Sequence, residues 1–374
     1  MLNRIRYWGL PLLSLTLFGF SNPVFGQGGE LAHFKRVLNR RPSDVNAHTD
    51  YQDAALKAGL RDEVENTYRN RLSGNRSATN LFLYGRILED ENAHSYLEQA
   101  VQKDPEFVEA RVELGRNLYK TGRFDDAVNQ LKAALNLKPR SAFARYLLGL
   151  SYYYKGYVDQ AVAEYERAIE IKPNYTDAYL NLGLAYFYTN QLDKAVQTYK
   201  RSIEIGADTP ADLAPVYRNL GMAYVAQGEI DKAEMAYRKV LDIDVKNADV
   251  FVNLGNLEFN RGKYEIAVEN YKKAVGSIGE DPSTYLKLGL SHYNLQDFGA
   301  SAVNLRKAVE MDSTQVDGFF YLGLAHYYND DREEAKAAFA SYVEKEKRAS
   351  KRPTIFKAKA LITELNRTRL PSLF

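Results

Sequence analysis

Few residues in this 374-residue chain have types and spacings that suggest chemistry. The chain has no cysteine, which removes disulfides, thiolate metal sites and cysteine nucleophiles. Two of its five histidines, His292 and His326, stand 34 residues apart. They could form a stacked metal-binding or pH-sensing pair, but no metal-ligand motif accompanies them. Packing is the simpler expectation, and neither metal nor cofactor is expected. The acidic pairs Asp125-Asp126 and Glu333-Glu334 fall in polar turns and read as solvated charge. No phosphate-binding loop, dinucleotide fingerprint, H-E-x-x-H helix or nucleophile elbow occurs. What recurs is an amide, at Asn181, Asn219 and Asn253. An asparagine side chain has one acceptor and two donors, so it can pair with both the N–H and the C=O of an extended peptide. The pattern points to binding, and no enzymatic activity is expected.

The elements that hold these residues follow from a period. Gly115, Gly149, Gly183, Gly221, Gly255, Gly289 and Gly323 are separated by 34, 34, 38, 34, 34 and 34 residues. A leucine precedes each one. Twelve residues after each comes a small residue (Ala127, Ala161, Ala195, Ala233, Ala267, Ser301, Ala335). Four further on comes a large one (Leu131, Tyr165, Tyr199, Tyr237, Tyr271, Leu305, Phe339). A small residue facing a large one lets two helices approach closely. Gly122, Gly156, Gly228 and Gly262 fall where the turn between those helices must lie. Pro139 and Pro173 fall at helix ends.

This period and pattern resemble the tetratricopeptide repeat (TPR). The resemblance implies an all-α, right-handed TPR superhelical solenoid of antiparallel helix pairs with a C-terminal capping helix. Seven regular repeats span 108–342, with an insertion at 210–213 that should bend or loosen the stack. Residues 27–107 read as degenerate N-terminal units, with Val45–Leu72 and Asn80–Pro105 keeping the register. Residues 343–374 read as a basic linker and the capping helix.

With each marked glycine at position 8, positions 2, 5, 6, 9, 12 and 13 share one face of the first helix. That face resembles the concave lining with which TPR proteins bind extended peptides. The peptide-binding groove is accordingly expected to comprise Asn181, Asn219, Asn253, Arg218, Tyr146, Leu150, Tyr153, Tyr154, Leu184, Phe187, Tyr188, Met222, Leu290, Tyr293, Phe320, Leu324 and Tyr327. The stretches Ala178–Tyr186 and Arg218–Tyr224 resemble the TPR arm of O-GlcNAc transferases, in which an asparagine ladder grips peptide backbone. No transferase domain is expected beside these repeats. The clamp lysine and asparagine of chaperone-binding TPR domains are replaced by Leu180 and Leu184 in one unit and by Arg218 and Met222 in the next.

The first 26 residues form a signal-peptide pattern: Arg4 and Arg6, the apolar run Tyr7–Phe20, then Ser21, Asn22, Pro23 and Val24-Phe25-Gly26, with a small residue before the cut. That run is shorter than the roughly 20 residues of a spanning helix, so cleavage after Gly26 and export to the periplasm or beyond are expected. From residue 27 the chain is neutral, with 48 basic and 48 acidic residues, a poor basis for nucleic-acid binding. Membrane association is expected only through the signal segment or through partners. The basic stretch from Lys345 to Arg352 reads as a solvated face, with a membrane-surface or partner role as the alternative. The functional expectation is a non-catalytic scaffold for protein or peptide partners in a cell-envelope assembly or export complex. The alternatives are a self-associating structural protein and a substrate-presenting subunit for a separate glycosyltransferase.

Overall fold

The close approach read from the glycine period is visible in the computed structural model, which describes residues 27–88, 90–206, 209–278 and 281–367. Residues 1–26, where the signal segment is expected, and the stretch 368–374 lie outside the described residues. A Cβ on Gly149 would sit 2.6 Å from Cε1 of the fully buried Tyr165. The same glycine-to-ring or glycine-to-leucine contact recurs at Gly115, Gly183, Gly221, Gly255, Gly289 and Gly323, each against the large residue sixteen positions on. Gly85 meets Leu97 more loosely, at 3.0 Å, so the degenerate unit keeps the same packing rule.

The described residues form twenty α-helices and one 3₁₀ turn, with no strand among them. In chain order these are α1 (Gln27–Arg40), α2 (Val45–Lys57), α3 (Arg61–Gly74), α4 (Ala78–Ile87), α5 (Asp90–Lys103), α6 (Val108–Lys120) and α7 (Phe124–Leu137). Then come α8 (Ala142–Tyr154), α9 (Val158–Ile171), α10 (Thr176–Tyr188), α11 (Leu192–Ile205), α12 (Pro210–Gln227), α13 (Ile230–Ile243) and α14 (Ala248–Asn260). The last are α15 (Tyr264–Ile278), α16 (Pro282–Asn294), α17 (Phe298–Met311), α18 (Val316–Tyr328), α19 (Arg332–Lys345) and α20 (Arg352–Arg367), with the 3₁₀ turn Ala349–Lys351 before α20.

The chain divides into two compact units, residues 1–209 and 210–374. Within each, every even-numbered helix pairs with the odd-numbered one after it, and that odd-numbered helix with the next even one. In the first unit α2 also touches α4, α6 touches α8 and α8 touches α10; in the second α14 touches α16 and α16 touches α18. The even-numbered helices therefore lie on one side of the stack in each unit, touching directly at those pairs. In the second unit α20 packs on α19 in the place of one more even-numbered helix.

The turns are built alike. Gly122, Gly156, Gly228 and Gly262 have φ between 75° and 82°. In the other regular repeats Asn190, Gln296 and Asp330 take the same left-handed conformation, with φ of 59°, 60° and 61°. In all seven the next residue donates its N–H to a carbonyl five positions back, as Arg123 does to Leu118 at 2.8 Å. This closes the helix end by satisfying its last carbonyls. Side-chain caps start several helices: Asp44, Ser141, Asn247 and Asp297 accept from backbone N–H groups, and Asp281 does so ahead of Pro282.

The insertion at 210–213 is helical. It forms the first turn of α12, extending it to 18 residues where the other even-numbered helices of the regular repeats have 13. Pro215 sits inside α12. It is the sixth residue of the helix, past the first turn, so it removes the N–H that would bond to the Ala211 carbonyl.

Candidate functional site

The histidines have internal partners. His292 and His326 are buried, and each bonds through Nδ1 to an aspartate five residues on: Asp297 at 3.1 Å and Asp331 at 3.0 Å. The helix-closing turn brings those aspartates back over the rings. Arg306 donates to Nε2 of His326 at 3.0 Å, which places the ring proton on Nδ1, facing Asp331. Burial lowers the pKa of His292, partly opposed by Asp297. His48 is held between the Tyr68 hydroxyl at 2.8 Å and the Pro42 carbonyl at 3.0 Å, and burial lowers its pKa too. No group of three or more His, Asp or Glu side chains among the described residues could hold a metal ion.

On the even-helix layer of the first unit, the lining begins charged. Arg86 makes a two-pronged ion pair with Asp53 at 2.7 and 2.8 Å, and Arg116 pairs with Glu113. It then becomes aromatic. Tyr119, Phe124 and Tyr154 form a three-ring cluster in which Phe124 and Tyr154 stack 5.3 Å apart with planes 15° from parallel. Tyr153 lies edge-on to Tyr154, and Phe187 edge-on to Tyr188. Tyr153, Tyr154 and Phe187 are half-buried, whereas Tyr188 is 54% exposed.

Other residues expected on this lining are sunk beneath it. Tyr146, Leu150 and Leu184 are buried. Tyr146 packs against Tyr165 and Tyr175 in the core between helices, and burial raises its pKa well above the ordinary tyrosine value. Asn181 donates through Nδ2 to the Asp177 carbonyl at 2.9 Å and to the Tyr146 hydroxyl at 3.1 Å. Both amide hydrogens are thus used inside the fold, and only Oδ1 remains for a ligand.

In the second unit Arg218 is paired with Asp249 of the next even-numbered helix at 3.0 Å. Asn219 is buried and Asn253 half-buried, and neither has a hydrogen bond to a side chain among the described residues. Asn256, one turn on, accepts from the Tyr271 hydroxyl at 2.9 Å. Met222 and Leu290 are half-buried, Leu290 against the core around Leu305 and Leu322. Tyr293, Phe298 and Tyr328 repeat the three-ring cluster, with Phe298 and Tyr328 stacked at 5.0 Å and Tyr328 54% exposed.

Phe320 and Leu324 are taken out of the expected groove by burial, and Tyr327 is engaged at its edge. Phe320 and Leu324 are buried in a core with Phe339, Tyr342, Ala358 and Leu365, the last two supplied by α20. The Tyr327 hydroxyl donates to Glu364 of α20 at 2.7 Å. α20 thus covers Phe320 and Leu324 and holds the Tyr327 hydroxyl.

Phe124 and Phe298 were missed because the sequence reading followed only the first helix of each pair. Both are the first residue of a second helix, nine positions after a marked glycine, and that shared register was the available signal.

Family models described as tetratricopeptide or TPR repeats match residues 91–149, 149–189, 174–244, 218–283, 282–315 and 317–347. The chain is a TPR protein. No curated protein sequence matches it. Among solved structures, PilW, described as a widely conserved type IV pilus biogenesis factor, has 16% identity and a TM-score of 0.50, covering 56% of this chain and 94% of its own. PilF of Pseudomonas aeruginosa has 18% identity and a TM-score of 0.49 over 56% and 93%. YrrB, described as a TPR protein with an unusual peptide-binding site, has 21% identity and a TM-score of 0.45 over 52% and 97%. The PilW likeness shows a shared TPR fold. No helix among the described residues of this TPR protein is long and apolar enough to cross a membrane.

Proposed function

We propose that this TPR protein is a non-catalytic scaffold that binds peptide segments or partner proteins on the even-helix faces of its two units, in a cell-envelope assembly or export complex. The observation that carries the binding role is the aromatic surface on those faces. Tyr153, Tyr154, Phe187 and Tyr188 in the first unit, and Tyr293 and Tyr328 in the second, keep open area although their neighbours Tyr146, Leu150 and Leu184 are buried. Clustered aromatic side chains left in water are unfavourable, and such anchors dominate recognition energetics. Asn253 and Asn219 supply amides for a peptide backbone beside Met222, and Asn181 contributes its remaining acceptor. The envelope setting is supported by the signal-like pattern of residues 1–26.

Photo-crosslinking in the native host tests it. A photoreactive phenylalanine at Tyr153, Tyr188 or Tyr293 is expected to capture other proteins, while one at Gln197, exposed on α11, does not. Equal capture at Gln197 would remove the assignment of this face. Adducts only at multiples of the chain's own mass would turn the reading to self-association, and capture of a glycosyltransferase to substrate presentation.

A further inference from the structure

One surface outside the even-helix faces combines strong charge with exposed apolar area. The chain is neutral from residue 27, yet between Lys345 and Arg367 it carries eight cations against two carboxylates, Glu346 and Glu364. Sequence alone reads this as a solvated run. The structure sorts it. Arg348 is bound to Glu346 and Asp317, Lys351 to Asp317, and Glu364 accepts from Tyr327. Those charges are used inside the fold.

Of the other six cations, Lys345 ends α19, Lys347 lies between the helices, and Arg352, Lys357, Lys359 and Arg367 lie on α20. This helix buries Ala358 and Leu365 and half-buries Ile355, Leu361 and Ile362 against the second unit. At 100° per residue the opposite side carries Arg352, Phe356, Ala360, Thr363 and Arg367, with Lys359 at its flank, and all six are exposed. Phe356 is 76% exposed, more than any other exposed large apolar residue described. Arg352, Lys359 and Arg367 make no ion pair with a described residue. The exposed Glu364 stands on the stripe's other flank, where it accepts from the Tyr327 hydroxyl.

We propose that the outward face of α20 is a docking surface for an anionic phospholipid bilayer. Two features choose lipid over an acidic protein segment. The face is the convex side of a helix, so a partner's side chains find no pocket there. Phe356 itself projects outward and needs a deformable apolar medium to enter. The cations spread along roughly 22 Å of helix, and a headgroup plane supplies negative charge anywhere along that line without matched spacing. This extends the expectation that membranes are met only through the signal segment or partners.

The test uses the full chain. Because it has no cysteine, an Ala360→Cys variant carries an environment-sensitive fluorophore at one site only. Vesicles of phosphatidylcholine with roughly one third phosphatidylglycerol at about 0.15 M salt are expected to shift the probe to the blue, while phosphatidylcholine alone does not. Adding Arg352→Glu, Lys359→Glu and Arg367→Glu is expected to weaken partition at least about 30-fold, and Phe356→Ser about 5-fold. All four side chains are exposed, so unchanged helicity is the control. Residues 1–26 are common to every variant and cannot produce a difference at this probe. A probe that ignores anionic vesicles, or responds equally to neutral ones, overturns the proposal. So does a response to polyglutamate without one to vesicles, which would assign the face to an acidic protein.

Discussion

The glycine contact at the heart of each repeat makes one substitution act with opposite sign at two places. Replacing a helical glycine by alanine ordinarily stabilises by about 0.5–1 kcal/mol, because glycine loses more backbone entropy on folding. Gly276 on α15 has open space around its missing Cβ, so Gly276→Ala should gain that amount. At Gly149 the added methyl would sit 2.6 and 2.7 Å from ring atoms of Tyr165 and 3.3 Å from the Ala161 carbonyl oxygen. Tyr165 is fully buried and hemmed in by Tyr146, so the ring cannot swing clear. Overpacking of this kind costs about 1–3 kcal/mol, which exceeds the propensity gain. Gly149→Ala should therefore lose a net ~1–2 kcal/mol. Repeat arrays do not always unfold in one step, so the assay is amide exchange resolved by helix, alongside urea unfolding. Protection should fall across α8 and α9 in the first variant and rise across α15 in the second. Adding Tyr165→Ala removes the obstructing ring, so the two changes should couple by about 1 kcal/mol or more. If Gly149→Ala proves as stable as the parent, the close-approach account of the period is wrong.

Gln296 holds a left-handed conformation that neither asparagine nor aspartate chemistry eases, so Gln296→Gly should stabilise by about 1 kcal/mol. Asn190→Gly should gain less, and urea midpoints rank the two. Burial lowers the pKa of His48 and His292 from 6.5, so the unfolded chain takes up those protons at a higher pH than the folded one. Their contribution to stability is complete above pH 6.5 and is lost as pH falls through the folded values. Unfolding midpoints measured at descending pH should show the loss, and His48→Gln should reduce it. Burial also raises the pKa of Asp53 while Arg86 pulls it down, with the paired side chains only 15% and 11% exposed. Arg86→Met should destabilise by about 2–3 kcal/mol and Asp53→Asn/Arg86→Met by less, because the single change strands a carboxylate. A double-mutant cycle by urea unfolding measures the difference.

The sequence alone determined the register of this protein. Seven glycines, the leucines before them and the large residues sixteen positions on specify where each helix pair closes, because only a missing side chain lets a buried ring such as Tyr165 or Tyr199 lie against the helix. The position of the left-handed turn follows from the same register, even where Asn190, Gln296 and Asp330 replace glycine. Which residues remain open to a partner was decided only by tertiary structure. A helical wheel gives a side chain's direction from its own axis, whereas exposure depends on what the neighbouring helix places there. Tyr146 and Tyr188 share a wheel face, yet one is sealed against Tyr165 and Tyr175 and the other is half in water. The Asn181 amide is taken by a hydroxyl 35 residues earlier, which becomes a neighbour only when repeats stack. Phe320 and Leu324 match the groove pattern and are covered by α20. That helix in turn gives Phe356 and its cations a common outward face, because Ala358 and Leu365 are the side it buries.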